Sequence, residues 1–214
     1  RTKMANLNRR AWLGAVAMMA TAGGALAAEL SVPAAFEELS LAALQRSDGK
    51  VEVTEFFWYG CPHCYSLEPS MNKWLAEEKP ENVVFNREAP PLNPSWQQHS
   101  RAFYAAKQMG VLDAFHEPFF DAIHKDRQRM QDPDDIAAFA DSIGVDGKKM
   151  KSMMSSFMVD GAVRNSMNLA AKYQLTGVPA VVVDGKYKTS GQLAGSYPNM
   201  LVAINELAGQ IANN

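Results

Sequence analysis

The sequence predicts an α/β protein in which an all-helical subdomain is inserted into a small mixed sheet. Three observations carry that prediction. A β-branched and aromatic run at residues 51–58 leads directly into a helical pattern at 61–78. Residues 95–174 keep helical spacing with almost no strand signal. Strand signals then return at 180–183 and 186–189, on either side of Asp184-Gly185. Composition allows such a fold: of 214 residues 47% are hydrophobic and 21% charged, with room for one sizeable core or two small ones. That balance excludes a disordered or fibrous chain.

Taken in order, residues 1–27 read as an export signal. Arg9 and Arg10 precede an apolar stretch at 11–20, and small residues follow, ending Ala25-Leu26-Ala27, where cleavage is expected. Residues 11–28 barely reach spanning length, are rich in Ala and Gly and end like a cleavage site, which favours removal over an uncleaved anchor. The run Asn8-Arg9-Arg10-Ala11-Trp12-Leu13 also resembles a twin-arginine signal, with Asn and Trp in place of the usual Ser and Phe. An ordinary secretory signal is preferred, since any basic leader needs such cations. Met4 is an alternative start. The leader holds Arg1, Lys3, Arg9 and Arg10 and no acid, so the remainder carries −6 against −2 for the whole chain. An acidic body gives no electrostatic support for binding nucleic acid.

The strand at 51–58 follows a turn signal, Ser47-Asp48-Gly49, and reads as buried. In 61–78, Pro62 suits the first helical position, and Leu67, Met71, Trp74 and Leu75 share one face. A second short strand is expected at 82–85, and Pro90, Pro91 and Pro94 end the unit. Within the helical block, Ala102, Met109, Phe115, Phe119 and Ile123 carry the spacing, Asp132-Pro133 opens a helix, and Gly144 and Gly147 mark breaks. Residues 196–211 close the chain as a helix. The expected division is 28–93 for the first part of the sheet domain, 94–174 for the insertion and 175–214 for the second part.

The only two cysteines sit three apart, in Cys61-Pro62-His63-Cys64, directly after a predicted strand and at the start of a predicted helix. The first turn of a helix has unpartnered N–H groups and the positive end of the macrodipole, so a sulfur at Cys61 is stabilised as thiolate. His63 adds to the effect if it is protonated or donates a hydrogen bond. A stable thiolate is also a good leaving group, so a disulfide containing it is easily attacked and the pair oxidises others. Cys64, one helical turn inward, is the expected buried partner.

Other readings of the pair are weaker. A structural disulfide closing so short a ring contributes only about 2 kcal/mol. A zinc site needs four ligands, and His99, His116 and His124 show no partner spacing with the cysteines. A c-type haem site needs His where Tyr65 stands. Neither metal nor cofactor is therefore expected. The three histidines read as surface or capping residues, and Met150, Met153, Met154 and Met158 as a core stripe. Glu55, in the middle of an apolar strand, is either a carboxyl kept protonated or relaying protons to the inner cysteine, or an acid at a solvated edge; the residues alone leave both open.

The segments Glu55-Phe56-Phe57-Trp58-Tyr59-Gly60-Cys61-Pro62-His63-Cys64-Tyr65 and Thr176-Gly177-Val178-Pro179-Ala180-Val181-Val182-Val183-Asp184-Gly185 resemble the DsbA family, periplasmic dithiol oxidases of the thioredoxin superfamily. The resemblance implies a thioredoxin fold with an inserted all-helical subdomain. It implies that Val178-Pro179 is a cis peptide beside the disulfide, with the backbone of Val178 pairing with an extended substrate. The residues alone place Pro179 only at a turn or strand edge. It makes Glu55 the buried acid near Cys64. It further implies a monomer in the periplasm that oxidises reduced exported proteins and is reoxidised by a DsbB-like membrane quinone reductase. A disulfide isomerase or reductase of the same superfamily, or a chaperone-like binding module, are the alternatives. Such isomerases and reductases usually carry Thr before the cis-proline, where this chain has Val178, and a separate dimerisation domain. Trp58-Tyr59-Gly60 is more aromatic than some relatives show.

Overall fold

The computed structural model describes residues 31–43 and 49–213; the expected leader, 1–27, and Ser47 and Asp48 of the expected turn lie outside them. Five strands form one mixed sheet among the described residues: β1 (Glu37–Glu38), β2 (Val51–Phe56), β3 (Val83–Glu88), β4 (Ala180–Val183) and β5 (Tyr187–Thr189), in the order β1-β5-β4-β2-β3. β2 runs parallel to β3, from Val51 opposite Val83 to Phe56 opposite Glu88, and antiparallel to β4, with Val53 opposite Val183. A strand paired on both sides and covered on both faces reads as a nearly continuous apolar run, and that is the pattern of 51–58. Asp184 and Gly185 take φ of +52° and +65°, the two left-handed residues that a tight hairpin between β4 and β5 needs.

Helix α1 (Pro62–Lys73) follows β2 and continues as a π-helical turn, Trp74–Glu78, so the helix expected at 61–78 is present but widens in its last turn. The helical insertion comprises a 3₁₀ turn, Pro94–Trp96, and α2 (Gln97–Met109), α3 (Leu112–His124), α4 (Pro133–Ser142), α5 (Gly147–Met154) and α6 (Phe157–Lys172). Asp132 caps α4 by accepting from Asp134 N–H, as the Asp-Pro pair predicts. The chain closes with α7 (Gly191–Ala194) and α8 (Tyr197–Ala212), the latter capped by Ser196.

Two large cores result. One lies between the sheet and α1 and α8, where Val51, Val53, Val181 and Val183 meet Leu67, Met71, Ile204 and Leu207. The other joins the end of β2 to the insertion and is aromatic: Phe57, Tyr59, Phe103, Phe115, Phe119 and Phe120. Cys61 and Cys64 belong to this second core. On the opposite sheet face, Phe56 and Val182 pack with Leu39 and with Tyr173 at the end of α6, so both faces are covered.

Several expectations need correcting. The second strand extends to Glu88, because the parallel ladder with β2 continues well past Phe85. Gly147 opens α5 and does not mark a break; a Cβ there would lie 2.2 Å from the Ala137 carbonyl oxygen, so the glycine lets α5 approach α4. His99 and His116 are buried, not surface residues. Of the methionine stripe, Met150 and Met154 are core and Met153 packs against it, whereas Met158 is exposed.

Candidate active site

β2 ends at Phe56, and the chain turns so that Cys61 N–H donates to the Trp58 carbonyl at 3.0 Å. Gly60 permits this turn: a Cβ would meet the Trp58 indole at 2.3 Å. Cys61 is the N-cap of α1 in extended backbone (φ −88°, ψ 116°), and its Sγ accepts from Cys64 N–H at 3.4 Å. Pro62 occupies the first turn, where its missing N–H costs nothing. Cys61 is 7% exposed and Cys64 fully enclosed.

The two sulfurs are accordingly unlike. Cys61 is pulled down to about 6, chiefly by hydrogen bonding from the Cys64 side chain against the opposing effect of burial, and further by the backbone N–H groups of Cys64 and His63 and the charge of His63. Cys64 is driven far up, first by burial and then by its neighbour's sulfur. His63 is exposed beside them, and its carbonyl accepts from Tyr197 OH of α8 at 2.9 Å.

Across from the pair, Val178–Pro179 is a cis peptide at the entry to β4, and the Val178 carbonyl accepts from Cys61 Sγ at 3.6 Å. A cavity of about 640 Å³ opens beside it, lined by His63, Val178, Pro179, Gln192 and Tyr197 among others. Cys61, Pro62, His63, Cys64, Val178 and Pro179 thus converge on one spot from α1 and the loop before β4.

Glu55 lies beneath, fully buried in β2. Its Oε2 accepts from Arg87 Nε at 2.8 Å, and its Oε1 has no hydrogen-bond partner. Burial pushes its carboxyl up to about 7 against the pull of Arg87. Its charge also contributes to the rise at Cys64, which places it within electrostatic reach of the inner sulfur. The solvated-edge reading of Glu55 is therefore wrong, because β4 pairs on one side of β2 and β3 on the other.

Sequence reasoning missed the rest of this cluster. Arg87 Nη2 also reaches Glu68 Oε2 at 3.3 Å, and His116 Nε2 lies 3.4 Å from the same oxygen. Burial alone would raise Glu68, but His116 and Arg87 outweigh it and hold the carboxyl below its ordinary value. Burial lowers His116, which favours the neutral ring. Its Nδ1 meets Tyr59 OH at 2.8 Å. One signal for Glu68 was available: Cys64, Leu67, Glu68 and Met71 share the buried stripe of α1. Among the described residues no three His, Cys, Asp or Glu side chains group as metal ligands.

A dithiol at the mouth of the helix that follows β2, beside a cis-proline at the entry to the neighbouring β4 of a mixed sheet, defines a thioredoxin-fold protein of the C-x-x-C type. Comparison with known proteins narrows this. The family described as DSBA-like thioredoxin domain matches residues 77–198. The thiol:disulfide interchange protein DsbA of Azotobacter vinelandii is 37% identical over 183 residues, covering 86% of this chain and 85% of that protein. Its counterpart in Pseudomonas aeruginosa is 40% identical over 153 residues, 72% of each. The crystal structure of P. aeruginosa DsbA superposes with a TM-score of 0.76 at 37% identity, covering 82% of this chain and 91% of that one. DsbA from Xylella fastidiosa gives 0.75 at 26% identity, covering 84% and 97%. The chain belongs to the DsbA family.

Proposed function

We propose that this chain is a thiol-disulfide oxidoreductase that donates a Cys61–Cys64 disulfide to reduced exported proteins. The observation that carries the reading is the asymmetry of the two sulfurs: one accessible and stable as thiolate, the other enclosed and strongly basic. In the oxidised protein a substrate thiolate attacks Cys61 Sγ. The Cys61–Cys64 bond breaks, and its electron pair goes to Cys64, which takes up a proton. A second substrate thiolate then attacks the substrate sulfur of the mixed disulfide, forms the substrate's own disulfide and expels Cys61 as thiolate. The substrate loses two electrons and the cysteine pair gains them.

Within this reading His63 and the first turn of α1 stabilise the departing Cys61 thiolate, Pro62 holds that turn, and Glu55 relays the proton of Cys64. Pro179 and the backbone of Val178 present an extended substrate to Cys61, with the adjoining cavity receiving its side chains. The relatives' designation as thiol:disulfide interchange proteins supports the same activity. With it go a periplasmic location after removal of residues 1–27, a monomeric state and reoxidation by a DsbB-like membrane quinone reductase. Among the described residues no helix is long and apolar enough to cross a membrane.

The test is the redox equilibrium of the chain without its leader against glutathione mixtures, with the reduced fraction read by alkylation and mass shift. A pair that stays reduced until the mixture is strongly oxidising is a disulfide donor. A pair that oxidises in reducing mixtures overturns the proposal in favour of a reductase.

A further inference from the structure

We propose that His124 is a positioning residue for the cysteine pair, holding both flanks of the Cys-Pro-His-Cys motif against α3. The inference rests on the oxidoreductase reading and adds a role for the helical insertion in it.

On the upstream flank, His124 Nε2 lies 2.7 Å from the carbonyl oxygen of Tyr59, two residues before Cys61. A carbonyl only accepts, so this nitrogen carries the proton and donates. Tyr59 is completely buried. Without the imidazole its carbonyl would lose this donor in a place where water does not replace it. On the downstream flank the same ring stacks on Tyr65, the residue after Cys64, with centroids 4.6 Å apart and planes 8° from parallel. Tyr65 N–H donates to the Cys61 carbonyl at 3.0 Å, which closes the first turn of α1. Tyr65 OH donates to Asp121, which also pairs with Lys125, so the stacking partner is itself fixed to α3.

Two turns earlier on α3, His116 meets the hydroxyl of Tyr59. One helix therefore holds this tyrosine at both its carbonyl and its side chain. The Cys61 thiolate depends on N–H groups aimed at Sγ from the first turn, and their aim depends on the turn from Trp58 to Cys61 staying in place. His124 acts not on either sulfur but through that turn.

Two substitutions separate positioning from plain stability. His124→Phe keeps a stacking ring and removes the donor, while His124→Gln restores an N–H donor without the ring. Cys61 is titrated in the reduced protein by thiolate absorbance. In His124→Phe the Cys61 pKa is expected to rise by about half a unit or more, roughly a threefold loss of thiolate at a pH below it. His124→Gln is expected to recover most of that shift. An unchanged Cys61 titration in a folded His124→Phe protein overturns the proposal, whatever its melting temperature does. Should His124→Phe not fold, Tyr65→Leu serves instead, removing the stacking surface at a partly exposed site. It is expected to shift Cys61 in the same direction, and no shift overturns the proposal. A wild-type Cys61 that titrates as an ordinary thiol contradicts the oxidoreductase reading itself, an outcome distinct from failure of the clamp.

Discussion

The two large cores differ in kind. The core between the sheet and helices α1 and α8 is dominated by aliphatic side chains, Val51, Val53, Val183, Ile204 and Leu207, with few polar atoms to satisfy. The core between the end of β2 and the insertion is a mesh of rings: Tyr59 has Phe57, Phe119 and Phe120 within 5.0 Å between centroids, and His116 and His124 pack among the same side chains. The cysteines come from the chain segment of the first core and are buried in the second. The sheet unit thus presents the motif, and the insertion sets its surroundings.

The widest separation between the cores is expected from a matched pair of truncations. Phe120→Ala should cost about 3–5 kcal/mol in denaturant unfolding and also raise the pKa of Cys61, since Phe120 touches Tyr59, Tyr65 and His124. Ile204→Ala should cost about 2–5 kcal/mol and leave the Cys61 titration where it is. Equal effects of the two on Cys61 would break the distinction.

Next in size is Glu55→Gln, at the buried carboxyl paired with Arg87. Glu55 holds its proton more tightly folded than unfolded, so its contribution is fully present below the ordinary carboxylate value of 4.5 and is lost as pH rises through about 7. Wild-type protein should therefore lose stability relative to the Gln variant across that window, by on the order of 3 kcal/mol. The same substitution should flatten the pH dependence of thiol exchange if the carboxyl relays the Cys64 proton. A pH-independent stability difference would mean that Glu55 is ionised throughout.

A pH effect of comparable size, tempered by solvent screening at a group within reach of water, is expected at the thiolate. Cys61 has a folded value below its unfolded one, so in the reduced protein its contribution is present above about 9 and declines as pH falls through about 6. Stability of the reduced protein relative to Cys61→Ala should grow between those limits, and a constant difference would show a thiol that α1 does not perturb. Least of all, Tyr197→Phe should cost about 0.5 kcal/mol, because its bond to the His63 carbonyl is exposed to competing water.

What the sequence discloses is what local chemistry encodes. The strand before Cys61, Pro62 in the first turn, the Asp132 cap and the Asp184-Gly185 turn are each settled within a few residues, and each stands where the pattern predicts, with one exception. The strand stops at Phe56, two residues short of the expected end at Trp58, because the chain turns there. The features that escape depend on distant partners. β1 is two glutamates with no strand signature, a strand only because β5 pairs with it. Arg87 looks like an ordinary strand-edge cation until Glu55, 32 residues away, is placed beside it. His116 and His124 carry no spacing relation to the cysteines, because their targets are Tyr59 and Tyr65 and not the sulfurs. Glu55 shows the limit well: burial is a property of both neighbouring strands, so the residues of β2 alone could not decide it.

The unequal enclosure of the two sulfurs has a consequence for regiochemistry. A nucleophile or alkylating agent arriving from solvent meets Cys61 alone, since Cys64 offers no surface. Every covalent adduct of the folded protein should therefore form at a single sulfur, and a trapped adduct on Cys64 would report opening of the helical insertion.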